Sequence, residues 1–137
     1  MTRKGFTLIE LMVVILIVGI LAAASIPLMR GRVDSAKWSE ANATAGTIRS
    51  AVRVYFAEKG SSADIIGALD DGDIQSALGF SATDLTGTYF VPGDYEITAV
   101  DATGKATVVV TGGSQADSPE GTYTLNPDGT WVKSASN

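Results

Sequence analysis

An apolar run at residues 11–28 constrains this chain more than any other feature. The run, LMVVILIVGILAAASIPL, carries one hydroxyl group, on Ser25, and no charged side chain. As a helix, a run of this length can cross the hydrocarbon core of a bilayer. Lysine and arginine lie on both sides, at positions 3, 4, 30 and 32, so the flanking charges do not decide its orientation. The run therefore indicates a membrane segment of undetermined direction.

Three kinds of segment compete for this run. A secretory signal peptide is one, because Arg3 and Lys4 supply a basic start and Ala22-Ala23-Ala24 offers a cleavage site. It would release a soluble secreted binding domain that begins at Ser25. The second is an ordinary single-pass anchor. The third is a helix that is first an anchor and later the core of a polymer.

Glu10 argues against the first two kinds of segment. A carboxylate at the edge of an apolar run costs about 2 to 3 kcal/mol when it enters hydrocarbon. Cleavage after Gly5 would create a cationic amino group on Phe6, four residues before Glu10. On a helix the two charges can pair within one chain or between two copies. Because an unpaired buried carboxylate is penalised, such a pair would set the register between copies.

The N-terminal segment carries the motif Gly5-Phe6-Thr7-Leu8-Ile9-Glu10, and Ile26-Pro27 stands at the end of the apolar run. With these residues the segment resembles the class III signal of type IV pilins and type II secretion pseudopilins. The resemblance implies that a prepilin peptidase cuts between Gly5 and Phe6 on the cytoplasmic side and N-methylates Phe6. Residues 1–5 would then be a leader peptide. The resemblance also implies a helix kink at Pro27, where the missing N–H weakens the helix.

The resemblance further implies partners and a location. The chain would sit in the inner (cytoplasmic) membrane as a single-pass precursor, and the inner-membrane pilus assembly machinery would then build it into a helical homo-oligomer outside the cell. A type II secretion pseudopilin is the alternative, with a short periplasmic filament. The calcium-site pattern of major pseudopilins, late in the chain, is not present here.

Residues 30–59 predict an amphipathic continuation of the hydrophobic helix at 6–29. One face is apolar, and the other is charged and expected to meet water or neighbouring subunits. The apolar positions are Val33, Ala41, Ala45, Ile48, Val52 and Tyr55, and the charged ones are Asp34, Lys37, Glu40, Arg49, Arg53 and Glu58. A single helix over residues 6–59 would be about 80 Å long. A small head cannot cover that length, so lipid or other copies must surround the rest.

Residues 60–137 predict an acidic β head. Short alternating runs at 95–100, 106–111, 121–125 and 130–133 indicate strands, and residues 101–104 and 126–129 are turns between them. A short helix is expected at 73–78. The predicted fold class is α+β, with a long N-terminal helix packed on a small antiparallel four-stranded sheet. Tyr123 and Trp131 are expected to pack across strands, and Trp38, Tyr55 and Phe56 to anchor the head on the helix.

Composition argues against an enzyme and against nucleic acid binding. The chain has no histidine and no cysteine, which removes the commonest general base, disulfides and thiolate metal sites. Residues 1–59 hold eight Lys/Arg and four Asp/Glu, whereas residues 60–137 hold two and eleven. An acidic outer half repels phosphates, so no nucleic acid partner is expected.

No cofactor is expected, and calcium is the one metal that the sequence brings into question. Asp70-Asp71-Gly72-Asp73 clusters carboxylates but lacks the spacing of a calcium loop. Asp117, Glu120 and Asp128 raise the same question. The alternative for the first cluster is a turn in which Asp71 or Asp73 caps the short helix.

Overall fold

The computed structural model of this protein describes residues 1–2, 4–81 and 83–134. Contacts divide the chain into two compact units, Met1–Ser35 and Ala36–Asn137. The long helix α1, Leu8–Lys59, begins in the first unit and ends in the second. The prediction of one continuous helix ending at Lys59 is confirmed, and its start lies two residues after the predicted one.

The first unit has no interior of its own. Each of its described residues is exposed, including the whole apolar run at 11–28. An exposed apolar surface of this extent is a mark of association with other molecules or with a membrane.

The second unit carries the head. After α1 come a 3₁₀ turn at Ala63–Ile65, strand β1 at Gly67–Ala68 and helix α2 at Gly72–Leu78. A second 3₁₀ turn at Pro92–Asp94 leads into four strands, which are β2 (Tyr95–Val100), β3 (Ala106–Thr111), β4 (Thr122–Leu125) and β5 (Trp131–Lys133). The predicted α+β class is confirmed.

The sheet of the described residues has five antiparallel strands in sequential order, β1-β2-β3-β4-β5. The predicted four-stranded meander is confirmed as β2 to β5, but the predicted strand count is wrong by one. The missed strand β1 has two residues, paired as Gly67 with Ile97 and Ala68 with Glu96. Two residues cannot display a period-two pattern, and Gly67 has φ +143°, so only its long-range partner reveals this strand.

The core of the second unit lies between α1 and the inner face of the sheet. Of the predicted apolar helix positions, Ala41, Ala45, Ile48 and Val52 are fully buried, and Tyr55 is half-buried. The prediction is wrong for Val33, which precedes the second unit and is exposed. The sheet contributes its alternate side chains, Tyr95, Ile97, Ala106, Val108, Val110 and Leu125.

Three charged residues predicted to face outward instead bind loops of the head. Lys37 Nζ donates to the Asp117 carbonyl oxygen at 2.6 Å, and Glu40 Oε1 accepts from the Tyr89 backbone N–H at 3.0 Å. Arg49 Nη1 donates to the carbonyl oxygen of Asn126. All three are half-buried. These three side chains lie beside the buried face of α1, where loops of the head approach the helix. Their partners are 49 to 80 positions away in the sequence.

Aromatic packing joins α1 to the last hairpin. Trp38 is 6% exposed, and its ring centroid lies 4.4 Å from that of Tyr123 and 5.1 Å from that of Phe90. Tyr123 and Trp131 stack with centroids 5.1 Å apart at 15°. This confirms the predicted packing of Tyr123 on Trp131 and the anchoring role of Trp38. Phe56 lies under the β2–β3 turn, where Gly104 (φ +78°) leaves no room for a β-carbon.

Candidate assembly segment

The predicted cleavage site lies in exposed, non-helical backbone. Gly5 and Phe6 are both exposed and precede the first residue of α1, Leu8. A β-carbon built on Gly5 would meet no atom within 4 Å apart from its chain neighbours. A peptide bond in this setting is open to a protease, which binds its substrate in an extended form. Cleavage at Gly5-Phe6 and methylation of Phe6 stay predictions.

Thr7 and Glu10 form a capping box at the start of α1. The backbone N–H and the hydroxyl group of Thr7 both donate to Glu10 Oε2, each at 2.8 Å. In return, the backbone N–H of Glu10 donates to Thr7 Oγ1 at 3.4 Å. This reciprocal arrangement satisfies donors that a helix start otherwise leaves unpaired. It also places a carboxylate in the first turn, where the helix dipole favours negative charge.

Thr7 is the functional residue that the sequence analysis missed. The spacing Thr-x-x-Glu before an apolar run is a known signature of a capping box, and it was present at residues 7–10. The box occupies Glu10 Oε2, whereas Oε1 has no hydrogen-bond partner among the described residues. The carboxylate is therefore held in place with one oxygen left for another donor.

Phe6 and Glu10 line the same shallow groove along the start of α1. The other lining residues are apolar, namely Ile9, Leu11, Val13 and Val14. The structure thus places the predicted cleavage residue and the predicted assembly carboxylate in one exposed groove whose other side chains are apolar. A charged group in such surroundings needs a partner of opposite sign once water is excluded.

Pro27 lies inside α1 and does not end it. It supplies no N–H to the carbonyl group four residues earlier, so the helix lacks one hydrogen bond at this point. Two residues before it, the Ser25 hydroxyl group donates to the Leu21 carbonyl oxygen at 2.8 Å. The kink assigned to Pro27 stays a prediction.

By length and composition alone, α1 is apolar enough to cross a membrane, and its most apolar window is fully exposed. A signal sequence near an N-terminus meets the same criterion, so this property by itself does not separate the three kinds of segment.

One of the predicted alternatives for the first aspartate cluster, a helix cap, is present at the start of α2. Asp71 Oδ1 accepts from the Asp73 backbone N–H at 2.9 Å, which makes Asp71 the N-cap of this helix. In residues 1–2, 4–81 and 83–134, no three Asp or Glu side chains are grouped so that they could hold a metal ion. The capping alternative therefore accounts for Asp71.

Comparison with known proteins places the N-terminal segment in a family. Residues 1–26 match the family model of the prokaryotic N-terminal methylation motif. The matched span includes Gly5, Phe6, Thr7 and Glu10. No solved structure matches this chain significantly.

Three of the similar proteins are fimbrial proteins or type IV pilins, and one of them matches nearly the whole chain. The type IV major fimbrial protein FimA of Dichelobacter nodosus is 31% identical over 135 residues, which cover 94% of this chain and 86% of FimA. Fimbrial protein EcpC of Eikenella corrodens is 50% identical over 58 residues, 42% of this chain and 38% of EcpC. The type IV major pilin protein PilE1 of Neisseria gonorrhoeae is also 50% identical over 58 residues, 35% of its own length.

The matches to EcpC and PilE1 span less than two fifths of the length of those proteins. The match to FimA covers nearly the whole chain and so includes the head. A relative of this identity and coverage establishes the family. The chain therefore belongs to the type IV pilin family of pilus structural subunits, as its N-terminal motif predicted.

Proposed function

We propose that this chain is the structural subunit of an extracellular type IV pilus, processed by a prepilin peptidase and polymerised through α1. The observation that carries the proposal is the Thr7–Glu10 capping box, which lies directly after the exposed Gly5-Phe6 bond and begins an exposed apolar helix. Before assembly the apolar run lies in the inner membrane. After assembly it is surrounded by the same run of other copies.

Hydrolysis of the Gly5-Phe6 bond changes the charge of this segment. Water adds across the peptide bond, Gly5 leaves with a carboxylate, and Phe6 gains a cationic amino group. This cation forms one residue before Thr7 and four before Glu10. The cut therefore creates a partner for the carboxylate that Thr7 already holds.

Pairing between copies uses the free oxygen of Glu10. Thr7 keeps Oε2, so the Phe6 amino group of a neighbouring copy can approach Oε1 without disrupting the helix start. In an apolar bundle an unpaired Glu10 carries a large desolvation penalty, and only the registers that bring a partner's amino group to it remove that penalty. The pair thus selects the offset between neighbouring helices.

Substitution of Gly5 tests the proposal. Gly5→Val puts a branched side chain next to the scissile bond, and we expect the uncut precursor to accumulate in the membrane with no filaments sheared from the cells. Gly31→Ala is the matched control, since a β-carbon at Gly31 also meets open space and the helix continues there. Intact mass and filament yield are the measurements. Normal cutting and normal filaments from the Gly5→Val chain would contradict the proposal.

A further inference from the structure

We draw no further inference here: the strongest candidate, the uncharged outer face of strands β3 to β5 that carries Thr111, Thr122 and Val132, is an unpartnered sheet face, and nothing in the structure shows what covers it.

Discussion

Arg49 on α1 holds the turn of the last hairpin through Asn126. Its Nη1 donates to the Asn126 carbonyl oxygen at 3.3 Å, and a β-carbon on Gly129 would lie 3.3 Å from the same nitrogen atom. Gly129 has φ +93°, a backbone conformation that glycine adopts without strain. The absence of a β-carbon also lets the Arg49 side chain lie close to the turn. Because the chain has no cysteine, no disulfide can hold this hairpin, and a side chain of the long helix binds its turn.

Removal of Arg49 should therefore destabilise the head. For Arg49→Ala we expect the free energy of unfolding to fall by about 1 to 2 kcal/mol, because a partly buried hydrogen bond from a charged donor is lost. Tryptophan fluorescence of the detergent-solubilised chain, recorded during thermal unfolding, measures this fall in the free energy of unfolding. Arg53→Ala is the matched control and should change stability by less than about 0.5 kcal/mol. Equal effects of the two substitutions would show that Arg49 does not hold the turn.

Acid should weaken the head through two aspartates in turns. The pKa of Asp101 lies below its ordinary value of 3.8 because the Lys105 backbone N–H and the Thr103 hydroxyl group donate to its carboxylate. The pKa of Asp128 is lowered in the same way by the backbone N–H and the hydroxyl group of Thr130. Because the folded pKa is lower than the unfolded one, the stabilisation is complete above the unfolded pKa. It is lost as the pH falls through the folded pKa. The unfolding midpoint should thus be level from pH 7 to about 5 and fall below about pH 4.

Asp101→Asn/Asp128→Asn tests the origin of this acid sensitivity. An asparagine still accepts a hydrogen bond but does not titrate, so the fall below about pH 4 should become shallower. The wild-type chain, measured over the same pH range, is the reference for the slope. An unaltered slope in the variant would refute the role of the two turns.

Tyr95 should titrate above the ordinary pKa of a tyrosine. Burial raises its pKa to about 12, and the Glu40 and Asp94 carboxylates act in the same direction, against a hydrogen bond with Thr44. A raised folded pKa means that the head keeps its stability below the unfolded value of 10.0 and loses it as the pH rises toward 12. Absorbance of the phenolate measures the titration. A late phase of ionisation should accompany the unfolding of the head, and Tyr95→Phe should remove that phase.

Glu10→Ala should impair assembly without affecting insertion. We expect normal cutting at Gly5-Phe6, together with incorporation beside wild-type subunits reduced about tenfold or more, since the partner's amino group loses its carboxylate. The ratio of the two masses in sheared filaments gives the incorporation. Asp34→Ala, an exposed acid on the same helix, is the control. Equal incorporation of the Glu10→Ala chain would remove the register argument.

Local patterns in the sequence predicted the parts of the fold that local physics decides. The alternation of apolar and polar residues at 95–100 and 106–111 correctly predicted the bounds of β2 and β3. The pair Lys59-Gly60 correctly predicted the end of α1. The contacts of Lys37, Glu40 and Arg49 escaped prediction because a charge at helical spacing indicates a solvent-facing position unless the returning loop is known. Strand β1 was missed because only its pairing with the distant strand β2 reveals it.

At the assembly segment, the sequence identified the chemistry but not the local geometry. Gly5, Phe6 and Glu10 were found from the motif and from the cost of a carboxylate in hydrocarbon. The residue that orients Glu10 is Thr7; its Thr-x-x-Glu spacing with Glu10 was present in the sequence, but its role was recognised only from its hydrogen bonds.

The central claim is that cutting at Gly5-Phe6 prepares this chain for assembly, and the intact mass of the subunit in filaments sheared from cells tests it most directly. The account predicts a chain that begins at Phe6 and carries one added methyl group on its amino nitrogen. A subunit that begins at Ser25, or one that still begins at Met1, would contradict it.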